Sequence, residues 1–241
     1  MMMNVVVDYG NTSAKVGIFK ERRLVDKIVF DSAEKLRGFL ENYSGDYIIV
    51  SSVSVDATVV MDWARHFKAK FILTPSLPLP VVNRYATPQT LGVDRIAAAC
   101  GAYELFPNQH CLAIDAGTCI TYEFLDAGGN YLGGGISPGL RMRFEAMHTF
   151  TARLPLIQPV DQPALIGTST EQCMQSGVIY GLCDEIEGII LRYHEKFGDL
   201  KVILCGGDAR FFENKLKAAI FAVPELVLSG LNSILIYNVN R

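Results

Sequence analysis

The sequence predicts two similar α/β domains that face each other across a cleft, in a chain of 241 residues. Apolar runs with the composition of β-strands alternate with segments whose apolar residues recur at helical spacing. The pattern of strand, Asp-x-Gly turn and strand occurs at Asp8 and again at Asp115, 107 residues later. A repeat at about half the chain length is typical of duplicated domains. We therefore expect an N-terminal domain over residues 1–110 and a C-terminal domain over residues 111–241.

The first half should open with three consecutive strands, followed by alternating helices and strands. A helical pattern of apolar residues follows Asp31, and Asp56 can cap the next helix because its carboxylate accepts backbone N–H bonds. The proline-rich residues 75–88 predict an irregular crossing. The predicted strands are Val5–Val7, Val16–Phe19, Leu24–Phe30, Tyr47–Val50 and Phe71–Leu73, and a helix over Gly92–Phe106 should start near Asp94.

A long helix should dominate the second half, from Thr170 to near Phe197. A capping box at Thr168 or Ser169 would begin it. Its three interior glycines each cost about 1 kcal/mol relative to alanine, so we expect another backbone to approach them, within the chain or at a subunit interface. These glycines are Gly177, Gly181 and Gly188, and the predicted strands of this half are Leu112–Ile114, Ile120–Leu125 and Val202–Leu204.

Composition limits the classes of function. The formal net charge is −3 and no large Lys/Arg cluster occurs, which argues against a nucleic-acid partner. No apolar run approaches the length of a membrane span, and the N-terminus lacks the basic region of a secretory signal. The six cysteines form no CxxC pair, which favours reduced thiols in a cytoplasmic protein. We expect neither a nucleic acid nor a membrane as partner.

The first candidate site is the turn that joins the first two strands. A turn of small and polar residues exposes backbone N–H groups that can hold a polyphosphate, assisted by hydroxyls and a lysine. An aspartate at the end of a buried strand can orient a hydrated Mg²⁺ on those phosphates. The alternative is a plain hairpin whose glycine and asparagine satisfy the turn. The residues of this turn are Asp8, Tyr9, Gly10, Asn11, Thr12, Ser13, Ala14 and Lys15.

Two further acidic segments are candidates for chemistry. Asp115 follows an apolar strand, where a carboxylate is costly unless a cation or the N–H groups of its own turn compensate it. Asp94 and Arg95 stand at a predicted helix start. They are either a helix cap and a surface charge, or a general base for an alcohol and a clamp for an anionic group. Spacing does not separate these two interpretations.

The glycine-rich segment Gly133–Gly139 contains the Gly-x-Ser-x-Gly pattern of hydrolases. That function is excluded because Pro138 follows Ser137, and proline has no N–H for an oxyanion hole. A glycine-rich wall close to a ligand fits better. The sequence contains neither GxxxxGK[ST] nor GxGxxG after a strand, which excludes a P-loop enzyme and a Rossmann dinucleotide site.

Taken together, the four segments resemble the type III pantothenate kinases. They are Asp8-x-Gly-Asn-Thr-x-x-Lys15, Gly92-x-Asp-Arg95, Asp115-x-Gly-Thr118 and Gly133-Gly-Gly-x-x-Pro-Gly139, and their order and spacing fit nearly the whole chain. The resemblance implies two actin-like (ribonuclease H-like) domains of the sugar kinase, actin and heat-shock ATPase superfold. It also implies phosphorylation of pantothenate by ATP, the first step of coenzyme A synthesis, by a homodimer that requires K⁺ or NH₄⁺.

The same resemblance implies a role for each candidate residue. The segment Asp8 to Lys15 would be the first phosphate loop, and Thr118 a second contact with ATP. Asp94 would accept the proton of the pantothenate hydroxyl, and Asp115 would bind the monovalent cation. The implied pantothenate contacts are Tyr85, Gly92, Val93, Asp94, Arg95 and Thr170.

Two alternatives remain from the sequence. Relatives of this family include accessory factors for transcription, which would keep the fold without catalysis. A kinase of the same superfold that acts on a sugar or another small alcohol is the other alternative, because a superfold does not specify a substrate. The intact phosphate loop, the intact candidate base and the absence of a basic segment favour the pantothenate kinase.

Overall fold

The structure, a computed structural model, describes residues 2–241. The chain folds into two compact units. The first contains the described residues up to Asn108, with Leu125–Gly133 and Glu225–Arg241, and the second contains Gln109–Phe124 and Gly134–Pro224. The strands are β1 (Met3–Tyr9), β2 (Ala14–Lys20), β3 (Arg23–Phe30), β4 (Ser44–Ser52), β5 (His66–Ile72), β6 (Val82–Asn83), β7 (Cys111–Ala116), β8 (Cys119–Leu125), β9 (Asn130–Pro138), β10 (Lys201–Cys205) and β11 (Phe221–Ala222). The helices are α1 (Ala33–Asn42), α2 (Ala57–Trp63), α3 (Val93–Leu105), α4 (Leu140–Thr149), α5 (Thr170–Phe197), α6 (Ala209–Glu213) and α7 (Leu226–Val239).

The first unit is built on a five-stranded sheet in the order β3-β2-β1-β4-β5. Strands β1, β2 and β3 pair antiparallel, whereas β4 and β5 continue the sheet in parallel. Alternate residues of the central strands, such as Val5 and Val7, pack with buried leucines of α1 and with α2. The carboxyl ends of β1 and β4 therefore lie side by side, with Asp8 opposite Ser51.

Helices α3 and α7 pack closely in the first unit because two glycines lie where they meet. A Cβ atom on Gly101 would lie 2.5 Å from the carbonyl oxygen of Leu226, and one on Gly230 would collide with the carbonyl oxygen of Ala97. Only hydrogen atoms fit at these positions, so the two backbones approach more closely than side chains would allow. Nearly the whole of α3 from Arg95 to Ala102 is buried.

The second sheet has the order β11-β10-β7-β8-β9-β6, and its last pairing, between β6 and the start of β9, belongs to the first unit. Strand β7 pairs in parallel with β10. The core of the second unit packs this sheet against α4, α6 and the buried face of α5, where Met174, Leu182 and Ile186 are almost fully inaccessible.

Most of the elements predicted from the sequence are confirmed, and α5 has the predicted ends, with Ser169 as its cap. The α/β class with two sheets is also confirmed. The compact units differ from the predicted domain ranges at Leu125–Gly133 and at the C-terminal Glu225–Arg241, which contact the first half. The division into domains 1–110 and 111–241 stays a prediction.

The expectation that another backbone of the chain approaches the glycines of α5 is wrong for residues 2–241. A Cβ atom on Gly177, Gly181 or Gly188 would meet no atom within 4 Å. The spacing pattern could not distinguish this exposed face from a contact within the chain, because a glycine has no side chain whose polarity indicates burial.

Two further results concern the surface and the thiols. Among residues 2–241, no helix has the length and apolar character that crossing a membrane requires. Within residues 2–241 no cysteine forms a disulfide, and Cys100, Cys111, Cys183 and Cys205 are buried.

We predict opposite effects of alanine at two helical glycines. Gly230→Ala should lower the free energy of unfolding by about 1–3 kcal/mol or more, because its methyl group collides with the backbone of α3. Gly38→Ala, in α1 with open space around it, should raise that free energy by up to about 1 kcal/mol. Urea denaturation of both variants measures the difference, and a Gly230→Ala variant as stable as the wild type would contradict the packing described.

Candidate active site

The turn between β1 and β2 presents polar groups at the carboxyl end of a buried strand. Asp8 is 8% exposed, and the antiparallel pairing places it opposite Lys15, so the two charged side chains share one face of the sheet. The N–H of Gly10 donates to the carbonyl of Ser13 at 3.1 Å, which closes the turn and leaves Asn11 and Thr12 exposed at its tip.

The loop after β4 supports this turn. The N–H of Val53 donates to the carbonyl of Tyr9 at 3.1 Å, and the Ser54 hydroxyl donates to the carbonyl of Gly10 at 2.9 Å. The turn also lines a cavity of about 170 Å³, together with residues 30–33, which connect β3 to α1. The turn is therefore held by its neighbours in one conformation with its tip accessible, as a loop that binds a polyphosphate requires.

A second group of predicted residues lies at the start of α3. Asp94 is half-buried, and its Oδ1 accepts a hydrogen bond from the N–H of Arg95 at 2.9 Å. A Cβ atom on Gly92 would lie 2.6 Å from that Oδ1, so glycine leaves the space that the carboxylate occupies. Gly92, not Asp94, is the cap residue of this helix, and the interpretation of Asp94 as the cap is wrong.

Arg95 is buried, with 8% of its surface exposed, so the interpretation as a surface charge is also wrong. Its guanidinium lies over the ring of Tyr85, 5.6 Å from the ring centroid. The aromatic ring covers one face of the guanidinium, and a planar cation of this kind can bind a carboxylate through its edge. The structure thus brings together Tyr85, Arg95 and the adjoining residues Gly92 to Asp94.

The turn after β7 forms a third group, in the second unit. Asp115 is half-buried, and Thr118 is exposed. Glycines approach this turn from two directions. A Cβ atom on Gly206 would collide with Asp115 Oδ1, and one on Gly139 would collide with the carbonyls of Gly117 and Thr118. The N–H of Gly139 also donates to the carbonyl of Thr118 at 3.1 Å.

The donor set around Asp115 fits a monovalent cation better than a transition metal. No cluster of three His, Cys, Asp or Glu side chains that could hold a metal ion occurs within residues 2–241. The carboxylate of Asp115 and the peptide carbonyls of its turn are hard oxygen ligands, which can bind an alkali or an alkaline-earth cation. A single carboxylate such as Asp8 is also sufficient for Mg²⁺ when phosphates supply further oxygens.

A second acid next to this turn was not singled out from the sequence. The N–H of Asp208 donates to the carbonyl of Ala116 at 2.8 Å, directly after β10. Burial raises the pKa of the Asp208 carboxyl, and Arg141 opposes this rise. The signal in the sequence was present, because Cys205-Gly206-Gly207-Asp208 repeats the arrangement of a strand followed by glycine and aspartate.

A polar network holds the far end of β9 in the same unit. Arg143 donates to the Ser137 hydroxyl and to the Pro138 carbonyl at 2.9 Å each, and forms an ion pair with Glu185 at 2.5 Å. The buried Tyr122 hydroxyl donates to the same Glu185 at 3.2 Å. Burial raises the pKa of the Tyr122 phenol, and the charge of Glu185 raises it further. Sequence reasoning missed this network because its members are far apart along the chain.

Thr170 is the first residue of α5 and is exposed. The preceding segment carries large apolar side chains in solvent, with Leu165 75% and Ile166 80% exposed. Thr170 is therefore accessible at the start of α5, a few residues after two exposed apolar side chains.

Comparison with known proteins gives one family. A sequence model described as type III pantothenate kinase matches residues 4–192. The chain is 43% identical over 244 residues to the type III pantothenate kinase of Bacteroides fragilis, with 99% of this chain and 100% of that protein covered. It is 41% identical over 245 residues to the one of Flavobacterium johnsoniae, with the same coverage.

Solved structures share the fold at low sequence identity. A proposed transcriptional activator of the Baf family from Campylobacter jejuni has a TM-score of 0.67 at 22% identity, with 98% of this chain and 100% of that chain covered. A proposed N-acetylmannosamine kinase from Listeria monocytogenes has a TM-score of 0.56 at 11% identity, with 99% and 100% covered. These similarities confirm the predicted sugar-kinase type of α/β fold and, at such identities, the fold alone.

Proposed function

The chain belongs to the type III pantothenate kinase family, and we propose that it transfers the γ-phosphate of ATP to the hydroxyl of pantothenate, which starts coenzyme A synthesis. The observation that carries the proposal is the full-length similarity at 41–43% identity to proteins of that name. The intact acidic turns at Asp8 and Asp115 and the buried Arg95 beside Asp94 support catalysis rather than a fold without activity. We further propose that the enzyme works in the cytoplasm.

We propose that the segment from Asp8 to Lys15 binds the ATP phosphates. The turn is closed by the hydrogen bond from Gly10 to Ser13 and is supported by the loop after β4. Its N–H groups and the Lys15 ammonium can stabilise the charge of a transferring phosphoryl group without rearrangement. Thr118 is proposed as a further contact with ATP, because it is exposed in the second acidic turn.

The acceptor is proposed to bind at the start of α3. Pantothenate carries one carboxylate, and Arg95 offers a planar cation next to Tyr85. Asp94 would then accept the hydroxyl proton while the hydroxyl oxygen bonds to the γ-phosphorus and ADP leaves. The loose transition state of phosphoryl transfer needs little covalent assistance, so positioning and charge stabilisation should dominate. Gly92, Val93 and Thr170 are proposed as the other acceptor contacts.

We propose that two cations bind near the phosphates, one at Asp8 and one at Asp115. Asp8 would orient Mg²⁺ through water, and Asp115 would hold K⁺ or NH₄⁺ with neighbouring carbonyl oxygens. When bound, these cations supply charge neutralisation to the phosphates. Asp8 and Lys15 keep the phosphate loop in register, because they form one cross-strand pair.

A coupled assay of ADP release tests the proposed function. With ATP, Mg²⁺ and K⁺, ADP should appear on addition of pantothenate and not on addition of glucose or N-acetylmannosamine. Replacing K⁺ by Na⁺ should lower the rate of ADP release, because K⁺ is the larger ion and suits the proposed site of carboxylate and carbonyl oxygens at Asp115. ADP release with a sugar at a similar rate would support the sugar-kinase alternative. A chain inactive with every acceptor would support the accessory-factor alternative.

Asp94→Asn should abolish most of the turnover while ATP binding persists. The amide cannot accept the hydroxyl proton, so kcat should fall on the order of 10²–10⁴-fold, with little change in the KM for ATP. Asp62→Asn, which removes an exposed carboxylate on α2, is the matched control and should keep the wild-type kcat. Near-normal turnover in Asp94→Asn would refute the role of Asp94 as the base.

We also propose that the protein is a homodimer that uses the exposed face of α5. Gly177, Gly181 and Gly188 are four and seven residues apart, so they lie on one side of the helix, and each has open space around it. Leu191, which is 58% exposed, lies on the same side. A glycine face that carries the exposed Leu191 and also the exposed Asp184 permits close approach of two helix backbones.

Sedimentation equilibrium at micromolar protein tests the dimer. The wild type should sediment at twice the chain mass, and Gly181→Trp should sediment as a monomer because the indole fills the contact. Gly38→Trp also places an indole on an exposed helical glycine with open space, and it should remain dimeric. A monomeric wild type, or a dimeric Gly181→Trp variant, would contradict this proposal.

A further inference from the structure

Strand β9 carries two residues that lie beside the proposed acceptor contact Tyr85. Strands β6 and β9 pair in parallel, with Val82 opposite Asn130 and Asn83 opposite Tyr131. The pairing extends by one further hydrogen bond, from the N–H of Arg84 to the carbonyl of Tyr131 at 2.9 Å. Continuing this register places Tyr85 beside Gly133, so the ring of Tyr85 lies against the backbone of β9.

Tyr131 provides a fixed surface for the Tyr85 ring. It is fully buried, and the two ring centroids lie 6.2 Å apart with 22° between the ring planes. Such offset aromatic pairs are favourable by about 0.5–1.5 kcal/mol beyond the area that they bury. The N–H of Tyr85 also donates to the Asn83 side chain at 2.9 Å, which fixes the backbone from which the ring extends.

Gly133 leaves the space that the Tyr85 ring occupies. A Cβ atom at this position would lie 3.0 Å from both Cδ2 and Cε2 of Tyr85. The φ angle of Gly133 is +96°, a conformation that residues with a side chain rarely adopt. Any larger residue would therefore both strain the strand and displace the ring.

The position of the Tyr85 ring affects Arg95 as well. The buried guanidinium lies 5.6 Å from the centroid of this ring, so a shift of the ring changes one contact of the cation. Because Arg95 follows Asp94 directly in α3, these contacts connect β9 through Tyr85 to the proposed acceptor residues.

We propose that Tyr131 and Gly133 are positioning residues that set the affinity for the acceptor through Tyr85 and Arg95. This inference rests on the proposed function, in which Tyr85 and Arg95 contact pantothenate. It assigns to β9 a role in the recognition of a carboxylate-bearing acceptor and none in the recognition of ATP. Neither residue touches the reacting atoms in this proposal.

The test compares Gly133→Ala with Gly129→Ala in steady-state kinetics. Gly129 also has a positive φ, +73°, but a Cβ atom there would meet Tyr103 rather than Tyr85. Gly133→Ala should raise the KM for pantothenate on the order of tenfold, because the Tyr85 ring must move away from the new methyl group and a loss of about 1.4 kcal/mol in binding is a tenfold change. Its KM for ATP should stay within about twofold of the wild type, and Gly129→Ala should leave both KM values unchanged.

A double-variant cycle shows whether Gly133 acts through Tyr85. In a Tyr85→Ala background, Gly133→Ala should add no further increase in the KM for pantothenate, since the ring that it displaces is absent. An additional increase would overturn the inference, as would equal KM values in Gly133→Ala and Gly129→Ala, or a parallel rise in both KM values of Gly133→Ala.

Tyr131→Leu provides the same test if Gly133→Ala does not fold. This substitution removes the ring on which Tyr85 packs and keeps the backbone of β9. The KM for pantothenate should therefore rise while the KM for ATP stays unchanged. Tyr131→Phe keeps the ring and should have the KM for pantothenate of the wild type. Unchanged KM values in Tyr131→Leu would overturn the inference. A wild-type chain that releases no ADP with pantothenate would defeat the proposed function, which is a different outcome from equal behaviour of the two glycine variants in an active enzyme.

Discussion

The carboxylates of Asp94 and Asp115 have room because glycines are packed beside them. A Cβ atom on Gly92 would lie 2.6 Å from Asp94 Oδ1, and one on Gly206 would collide with Asp115 Oδ1. An aspartate enclosed in this way has few rotamers available and keeps its charge near one point. The cost of holding these charges close to apolar strands is offset only if hydrogen bonds or a bound cation compensate them. Gly133 acts in the same way, because a residue without a side chain leaves space there for an aromatic ring.

Periodicity and turn chemistry were sufficient to predict the elements that carry the site. Strand β1 ends at the acidic turn, and α5 begins at Thr170 after its serine cap, as expected. Such features are local, since they depend on residues within one or two turns of the chain. The resemblance of four motifs gave the family that full-length similarity then confirmed.

Contacts between segments that are distant along the chain could not be predicted from the sequence. The stack of Tyr85 with Tyr131 depends on the pairing of β6 with β9, and a two-residue strand such as β6 leaves no periodic signal. Arginine is a residue type that usually lies at the protein surface, yet packing around α3 buries Arg95. The C-terminal helix α7 carries a uniformly apolar pattern that indicates burial without indicating which half of the chain it packs against.

The contact of α3 with α7 has a consequence for synthesis on the ribosome. Because Gly101 and Gly230 meet, the first unit is closed by a helix that is translated after the whole second unit. When α3 leaves the ribosome, α7 has not yet been synthesised, so the apolar surface of α3 lacks its partner until the second unit has been translated. Such late, non-local closure slows folding and lengthens the time for which apolar surface is exposed to aggregation.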